Sequence, residues 1–220
     1  EEEPEEEEKE EEIVYDDAYF KKPRTLEELD QEIKVVSKTN KEVLKKLERV
    51  KHLSKTQFKK LPSEVKDKIQ LNIISSFSTT ESDIADAMSK FILSKTDEKS
   101  LKSNKISKLS IVDATACIGG NTLSFAKFFS NVDSIELEDY NFKILEHNIK
   151  ISKQHKDKFT PKLKGTITTH TGDFNDNLQY IEHSDIIFFD PPWTKEGVEY
   201  NIKKPTIPML GEKNIFEVMD

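Results

Sequence analysis

The stretch IVDATACIGGNTLSF (111–125) constrains the fold most, because a short apolar run breaks into a glycine turn and then resumes with helical spacing. Ile111 and Val112 fit a buried strand, and Gly119 with Gly120 lets the backbone approach a neighbour closely. The helix that follows would aim free N–H groups into the crevice beyond the strand end. The order of strand, loop and helix predicts an α/β domain with a parallel sheet.

The loop alone does not identify a ligand. No Gly-Lys-Ser/Thr follows it, as in a phosphate loop, and the full GxGxxG dinucleotide pattern is absent. An ordinary turn between strand and helix, with glycines for tight packing, would look the same. The features that follow the loop are therefore needed to decide its role.

Polar side chains follow three more strand candidates. The apolar run 132–137 contains Glu136, which lies roughly 20 residues after the loop, where an acid can accept ribose hydroxyls. The candidates 166–170 and 185–189 precede the motifs GDF (172–174) and DPPW (190–193). Because the carboxyl ends of parallel strands meet at one edge, we expect these groups to line one crevice.

These motifs resemble a known family. DATACIGGNTLSFA is similar to the cofactor loop of class I AdoMet-dependent methyltransferases, and DPPW resembles the catalytic motif of amino-group methyltransferases. The ordered set IQLN, FSTTESDIA, GGNTLSFA, GDF and PPW, within 69–210, resembles the trimethylguanosine synthases, which are RNA cap guanine-N2 methyltransferases. The resemblance implies a Rossmann-like class I methyltransferase sheet. We find fewer strand candidates than that sheet has, so its C-terminal strands are expected to be absent or outside this chain.

The resemblance also implies a cofactor and a substrate. S-adenosyl-L-methionine (AdoMet) is the implied cofactor, and m7G-capped RNA is the implied partner. The implied cofactor-binding residues are Thr80, Asp113, Gly119, Gly120, Asn121, Thr122, Glu136, Asp173 and Phe174. The implied catalytic residues are Asp190, Pro191 and Trp193, and Trp193 with Pro192 is expected to bind the substrate base.

The chemistry of DPPW can also be argued from its residue types. The exocyclic amine of a purine is a poor nucleophile, because its lone pair is delocalised into the ring. Asp190 and the carbonyl of Pro191 can each accept one N–H of such an amine, and these acceptors favour the charge that develops on nitrogen. Consecutive prolines fix the backbone, and Trp193 offers a flat surface for the base.

Two other functions stay open. N6-adenine methylation of DNA or RNA fits the aspartate of DPPW better, because the synthases commonly have serine at position 190. A non-catalytic methyltransferase-like subunit is suggested by the shortage of strands. A proline-rich loop with a buried tryptophan is the purely structural interpretation of the same motif.

Charge divides the chain into an acidic tail and a nearly balanced remainder. Residues 1–18 carry twelve acids and one lysine, a block of like charge that we expect to be disordered and solubilising. The rest carries 33 basic and 30 acidic side chains, so the net charge of −8 does not argue against a nucleic-acid partner. We predict a helical extension over 19–100, including the segment that covers the cofactor, and a catalytic domain over 101–220.

Apolar spacing predicts three helices in the extension. The first starts at a Thr25–Glu28 capping box and continues unbroken from Leu26 to Val50, with Asn40 as the lone polar residue of a coiled-coil seam. Its stripe is expected to pack on the catalytic domain or to associate with a protein partner or a second copy. A second helix is predicted over 63–75. Thr80 is predicted to cap a third, whose apolar face would comprise Ile84, Ala87, Met88, Phe91 and Ile92.

The remaining composition excludes several classes of protein. One cysteine, Cys117, excludes an internal disulfide and fits a reducing compartment, so we expect an intracellular protein, nuclear or cytoplasmic. No run approaches the length of a membrane span, so no membrane association is expected. The five histidines show no metal-ligand spacing, so no metal is expected.

Overall fold

The computed structural model describes residues 14–191 and the short segments 209–210 and 213–214. Four parallel strands form its main sheet in the order β3-β2-β1-β4. They are β1 (Ser107–Asp113), β2 (Phe129–Glu136), β3 (Thr166–Thr171) and β4 (Ile186–Phe188). All four strand predictions are confirmed, and the parallel sheet with its intervening helices is the Rossmann-like arrangement expected of this class.

The register of the sheet brings the predicted polar residues to one edge. Asp113 lies opposite Ser134 on β2 and Phe188 on β4, and Glu136 lies opposite Thr171 on β3. The carboxyl ends of the strands are therefore nearly level. The loops after them open on a common crevice, as the parallel arrangement requires.

Helices cover one face of the sheet. They are α5 (Ser82–Thr96), α6 (Glu98–Ser103), α7 (Gly120–Phe128) and α8 (Asp139–Gln154). Ile111, Val132 and Ile167 of the sheet belong to the same buried cluster as Phe125 and Ile144 of these helices. The alternation of side chains along a strand places Val112 and Ile135 on the opposite face. There they form a smaller cluster that includes Phe174.

The amino-terminal helical layer corrects the prediction of one continuous helix. After α1 (Asp17–Lys21), two helices occupy the predicted span, α2 (Leu26–Val36) and α3 (Lys41–Gln57). The predicted capping box is present, because the Thr25 hydroxyl and the Glu28 carboxylate each accept the other residue's backbone N–H. Asn40 is not a seam residue. It caps α3 by accepting the backbone N–H groups of Glu42 and Val43, and this capping competes with helix continuation.

The apolar stripe of this layer is buried within the chain itself. Its members pack into the same hydrophobic cluster as the sheet. Leu29, Val36, Leu47 and Val50 are fully covered and Val43 is 5% exposed. The chain therefore covers this stripe without a second protein, and association through it remains a prediction.

Of the two further predicted helices, the first is wrong, and the second is present with a different N-cap and a different buried face. The predicted 63–75 helix is a single turn, α4 (Ser63–Lys66), followed by irregular chain and a 3-10 turn at Ser75–Phe77. α5 has Glu81 rather than Thr80 at its N-cap. Its predicted apolar face is also displaced, because Ile84 and Phe91 are 51% and 64% exposed. The residues that α5 buries are Ala85, Asp86, Ser89 and Leu93.

The later part of the chain adds a feature that the sequence patterns did not show. β5 (Met209–Leu210) and β6 (Lys213–Asn214) pair antiparallel in a separate two-stranded sheet, so among the described residues they do not extend the four-stranded sheet. The predicted domain boundary at residues 100 and 101 falls inside α6.

In the described parts of the chain, no helix has the length and hydropathy to cross a membrane. Those same parts contain no group of three or more side chains suited to hold a metal ion.

Candidate active site

The loop after β1 is shaped by two left-handed residues and one close approach. Gly119, the N-cap of α7, has φ +100°, and Cys117 has φ +49°. A Cβ at Gly120 would lie 3.1 Å from the Thr79 methyl group and 3.2 Å from the Thr80 carbonyl oxygen. Because glycine has no Cβ, Gly120 allows the segment 77–80 to pack directly on the loop. Cys117 is not a nucleophile in this setting, because desolvation raises the pKa of its thiol to about 12.

Asp113, at the end of β1, supports this loop from below. Its side chain is fully buried, and Oδ2 accepts the Thr122 hydroxyl at 2.6 Å. Oδ1 is buried with no hydrogen-bond partner among the residues described. Burial, reinforced by the carboxylates of Asp190 and Glu136, raises the pKa of Asp113 to about 7. Thr122 is itself fully buried, so its hydroxyl acts on Asp113 and not on the crevice.

Glu136, at the end of β2, is brought to the loop as predicted. Oε2 accepts the backbone N–H of Cys117 at 2.7 Å, and Oε1 accepts that of Glu138 at 3.0 Å. Burial raises the pKa of this carboxyl, while these backbone donors oppose the rise. Each carboxylate oxygen has a second lone pair, so Glu136 can still accept two hydroxyl groups from a ligand.

Asp190 follows β4 and is joined to two residues predicted to hold the cofactor. Its Oδ2 accepts the Thr80 hydroxyl at 3.2 Å and the Asn121 amide at 3.4 Å. The Asn121 amide also donates to the Thr80 hydroxyl at 3.0 Å. The Asp190 backbone N–H donates to the Thr115 hydroxyl at 2.8 Å. The structure thus brings Thr80, Asn121 and Asp190 together, and the predicted amine acceptor is part of the cofactor-loop network.

The third strand end forms the far side of the crevice. The Gly172 N–H donates to the Glu136 carbonyl oxygen at 3.0 Å, which ties the end of β3 to that of β2. Asp173 accepts the backbone N–H of Asn175 at 2.7 Å and thereby starts a 3-10 turn. Phe174 is buried, with its ring 4.7 Å from that of Phe189 in an edge contact. Asp173, next to these rings, is only partly buried.

The substrate side of the predicted site is described only as far as Pro191. Pro191 is buried next to Asp190. Pro192 and Trp193 lie outside the described residues, so their predicted roles remain predictions. Asp113, Glu136 and Asp190 have no Lys, Arg or His partner within the part of the chain that the structure covers. Among the described residues, these three carboxyl groups therefore have no counter-charge.

Gln57 and Thr115 belong to this site although the sequence patterns did not predict them. Gln57 ends α3 with a 6% exposed side chain, and its amide donates to the carbonyl oxygens of Ser76 and Thr79. One signal could have identified it. The buried stripe of α3 continues past Val50 through two polar residues, Ser54 and Gln57, at helical spacing. A polar side chain at a buried stripe position needs a hydrogen-bond partner.

One family model and one curated relative match parts of this chain. The family model described as RNA cap guanine-N2 methyltransferase matches residues 108–206, a little under half of the chain. An uncharacterized protein, L320, of Acanthamoeba polyphaga mimivirus is 36% identical over 99 residues. That alignment covers 42% of this chain and 33% of the viral protein. The chain thus matches about a third of this relative's length.

Two solved structures are similar in fold. A putative methyltransferase from Porphyromonas gingivalis W83 is 19% identical, with a TM-score of 0.45 over 66% of this chain and 31% of that one. An O-methyltransferase from Bacillus cereus in complex with SAH is 17% identical, with a TM-score of 0.38 over 76% and 63% of the two chains. Both TM-scores are low, so the fold assignment rests on the order and direction of the strands. The family match, which spans the loop, Glu136 and Asp190, supports a methyltransferase.

Proposed function

We propose that this protein is an AdoMet-dependent methyltransferase that methylates the exocyclic N2 amine of the m7G cap of RNA. The observation that carries the proposal is the position of Asp190. Its carboxylate is held beside the glycine loop through Oδ2, while Oδ1 has no partner among the residues described. A free carboxylate oxygen next to a cofactor loop is what the acceptance of an amine N–H requires.

The residues of the crevice fit AdoMet. Glu136 and Asp190 lie at the crevice without a described cation, so a ligand that carries positive charge and hydrogen-bond donors suits the site. Gly119 to Asn121 would cover the cofactor and Glu136 would hold its ribose, while Asp173 with Phe174 would receive its adenine. When bound, AdoMet supplies an electrophilic methyl group on a sulfonium.

The protein's own contribution to the transfer is to hold the amine. Asp190 Oδ1 and the Pro191 carbonyl can each accept one N–H, which orients the nitrogen lone pair and stabilises the charge that develops on it. Trp193 would bind the base. A guanine methylated at N7 is cationic, and such a ring gains about 0.5 to 2 kcal/mol against the face of an indole beyond ordinary stacking.

N6-adenine methylation is the second candidate, and Asp190 itself favours it. Synthases that resemble this chain commonly have serine at that position, whereas the adenine enzymes have aspartate in this motif. The adenine N6 amine would need the same two acceptors. An uncharged adenine would gain no cation–π term from Trp193.

A methyl-transfer assay on the full chain separates these functions. We expect turnover of an m7G cap dinucleotide to exceed that of an unmethylated cap, with little on an adenine oligonucleotide. Trp193→Ala should abolish the preference for m7G, and Trp193→Phe should keep part of it. Asp190→Ala should lower kcat about 100-fold with less effect on KM, because the contact strengthens in the transition state.

Each other outcome contradicts the proposal in its own way. Equal rates on the two caps would show that Trp193 does not select the cationic m7G base. Transfer to adenine alone would establish the second candidate. Failure to bind AdoMet in calorimetry would indicate a non-catalytic subunit.

A further inference from the structure

The buried side-chain amide of Gln57 connects the amino-terminal helical layer to the active site. Gln57, the last residue of α3, donates from Nε2 to the carbonyl oxygens of Ser76 at 2.6 Å and Thr79 at 3.0 Å. These two carbonyls flank the turn that precedes Thr80. The turn has hydrogen bonds of its own, such as that from the Thr79 hydroxyl to the Ser75 carbonyl, and Gln57 joins its two ends from a helix that is remote in sequence from the sheet.

The turn in question delivers the Thr80 hydroxyl to Asp190. A hydroxyl has one proton to donate. Since the Asn121 amide nitrogen Nδ2 can only donate, Thr80 must accept from Asn121 and give its proton to Asp190 Oδ2. The direction of the chain of hydrogen bonds is thereby settled, from Asn121 through Thr80 to Asp190.

This arrangement leaves the two oxygens of Asp190 in different states. Oδ2 receives both donors, and no residue that the structure describes donates to Oδ1. Two donors on one oxygen restrict rotation of the carboxylate and hold the other oxygen in a fixed direction. A reacting group that is held before the reaction begins lowers the entropic part of the barrier.

We propose that Gln57 and Thr80 are positioning residues that orient Asp190 as the amine acceptor, Thr80 directly and Gln57 through the turn before it. The sequence resemblance had assigned Thr80 to the cofactor. The inference rests on the proposed function for the role of Asp190 in accepting the amine. It adds that the helical extension takes part in catalysis by way of α3.

The kinetic test compares hydroxyl and amide removal with a matched control. Thr80→Val should lower kcat about tenfold, the value of one hydrogen bond to a charged group, while Thr80→Ser should keep most of the activity. Gln57→Leu should lower kcat about fivefold, and the double variant should be no worse than Thr80→Val within about twofold. Ser54→Ala, which removes a buried hydroxyl of α3 that reaches only Lys51, should have no effect.

AdoMet affinity distinguishes the two roles of Thr80. Calorimetry should give AdoMet dissociation constants within about twofold of wild type for Thr80→Val and Gln57→Leu. Weaker AdoMet binding with unchanged kcat would overturn the inference and make Thr80 a cofactor contact. Fully additive effects in the double variant would also overturn it. Gln57→Met replaces Gln57→Leu if thermal melting shows that the leucine variant does not fold.

An NMR measurement tests the inference even if the proposed function is wrong. The 13C resonance of the Asp190 carboxyl, assigned by its loss in Asp190→Asn, should move in Thr80→Val and in Gln57→Leu. It should stay in place in Ser54→Ala. An unmoved resonance in both test variants would show that neither residue orients Asp190, whatever substrate the protein methylates.

Discussion

Two buried polar clusters of this protein treat charge in opposite ways. Between α5 and α7, Asp86 accepts the Lys127 ammonium at 2.9 Å and the Ser124 hydroxyl at 2.7 Å, and both ionic side chains are 4% exposed. At the strand ends, Asp113 and Glu136 are buried without any described cation. The first cluster is electrically complete and the second is not.

The difference indicates which cluster serves structure and which serves function. A buried ion pair is stable only as a unit, so the Asp86–Lys127 pair fixes how α5 lies on α7. Acids gathered without a counter-charge destabilise the fold, and such an arrangement is typical of ligand sites. The effect on the pKa is opposite as well. Burial alone would raise the pKa of Asp86, but Lys127 holds it below its usual range, whereas the pKa of Asp113 is raised.

Breaking the complete cluster should produce the largest effect on stability. Asp86→Ala leaves the Lys127 ammonium buried without its partner, and removal of one member of a buried pair costs about 3 to 5 kcal/mol. Urea unfolding followed by circular dichroism would measure the loss. The double variant Asp86→Leu with Lys127→Met should recover most of it, because no lone charge remains.

An exposed pair supplies the control for that measurement. Lys143 and Asp139 lie one helical turn apart on α8, and both side chains are 72% exposed. Lys143→Ala should cost no more than about 0.5 kcal/mol. If Asp86→Ala proved as mild as Lys143→Ala, the contrast between the two clusters would not hold.

The unpaired cluster should make stability depend on pH through Asp113. The folded pKa of about 7 lies above the ordinary value of 3.8, so the folded protein holds a proton that the unfolded chain releases. This contribution to stability is complete below the unfolded pKa and is lost as pH rises towards 7. Between pH 5 and 8 the loss should be about 2 to 3 kcal/mol.

Asp113→Asn should remove that pH dependence. The variant cannot ionise at this position, so its free energy of unfolding relative to wild type should improve from pH 5 to pH 8. Glu136 has a raised pKa also and will leave some slope in both proteins. Unfolding curves at the two pH values give the comparison. A constant difference between wild type and variant would mean that Asp113 stays ionised throughout.

The sequence predicted the residues of the unpaired cluster better than those of the paired cluster. The strand positions and the acids after β2 and β4 follow from apolar runs and from the rule that parallel strands end together, so Glu136 and Asp190 were predicted. Asp113 was implied by the family resemblance alone. The ion pair was not predicted. Asp86 and Lys127 stand at ordinary helical positions, and only the rotation of α5 against α7 makes them face each other.

The same rotation explains the displaced apolar face of α5. Apolar spacing favoured Ile84 and Phe91, but burial of the Asp86 pair turns those residues outward. The break at Asn40 has a local cause instead, since asparagine is a strong N-cap as well as a tolerated seam residue. The Thr80–Asp190 contact could not be predicted because 110 residues separate the partners and no spacing rule connects them.

Glu136 offers the sharpest test of the crevice as a ligand site. Its carboxylate is held by two backbone N–H groups, so it is oriented before any ligand arrives. Glu136→Ala should weaken AdoMet binding by about 1 to 3 kcal/mol, the range for hydrogen bonds to a charged group, as measured by calorimetry. Glu138→Ala removes an exposed carboxylate two residues away and should leave the affinity unchanged, because only the backbone N–H of Glu138 contacts Glu136. Loss of affinity in Glu138→Ala alone would mean that Glu138, and not Glu136, is the acid that binds the ribose. Unchanged affinity in both variants would mean that the carboxylates at this strand end do not bind the cofactor, and the contrast between the paired and the unpaired cluster would need another explanation.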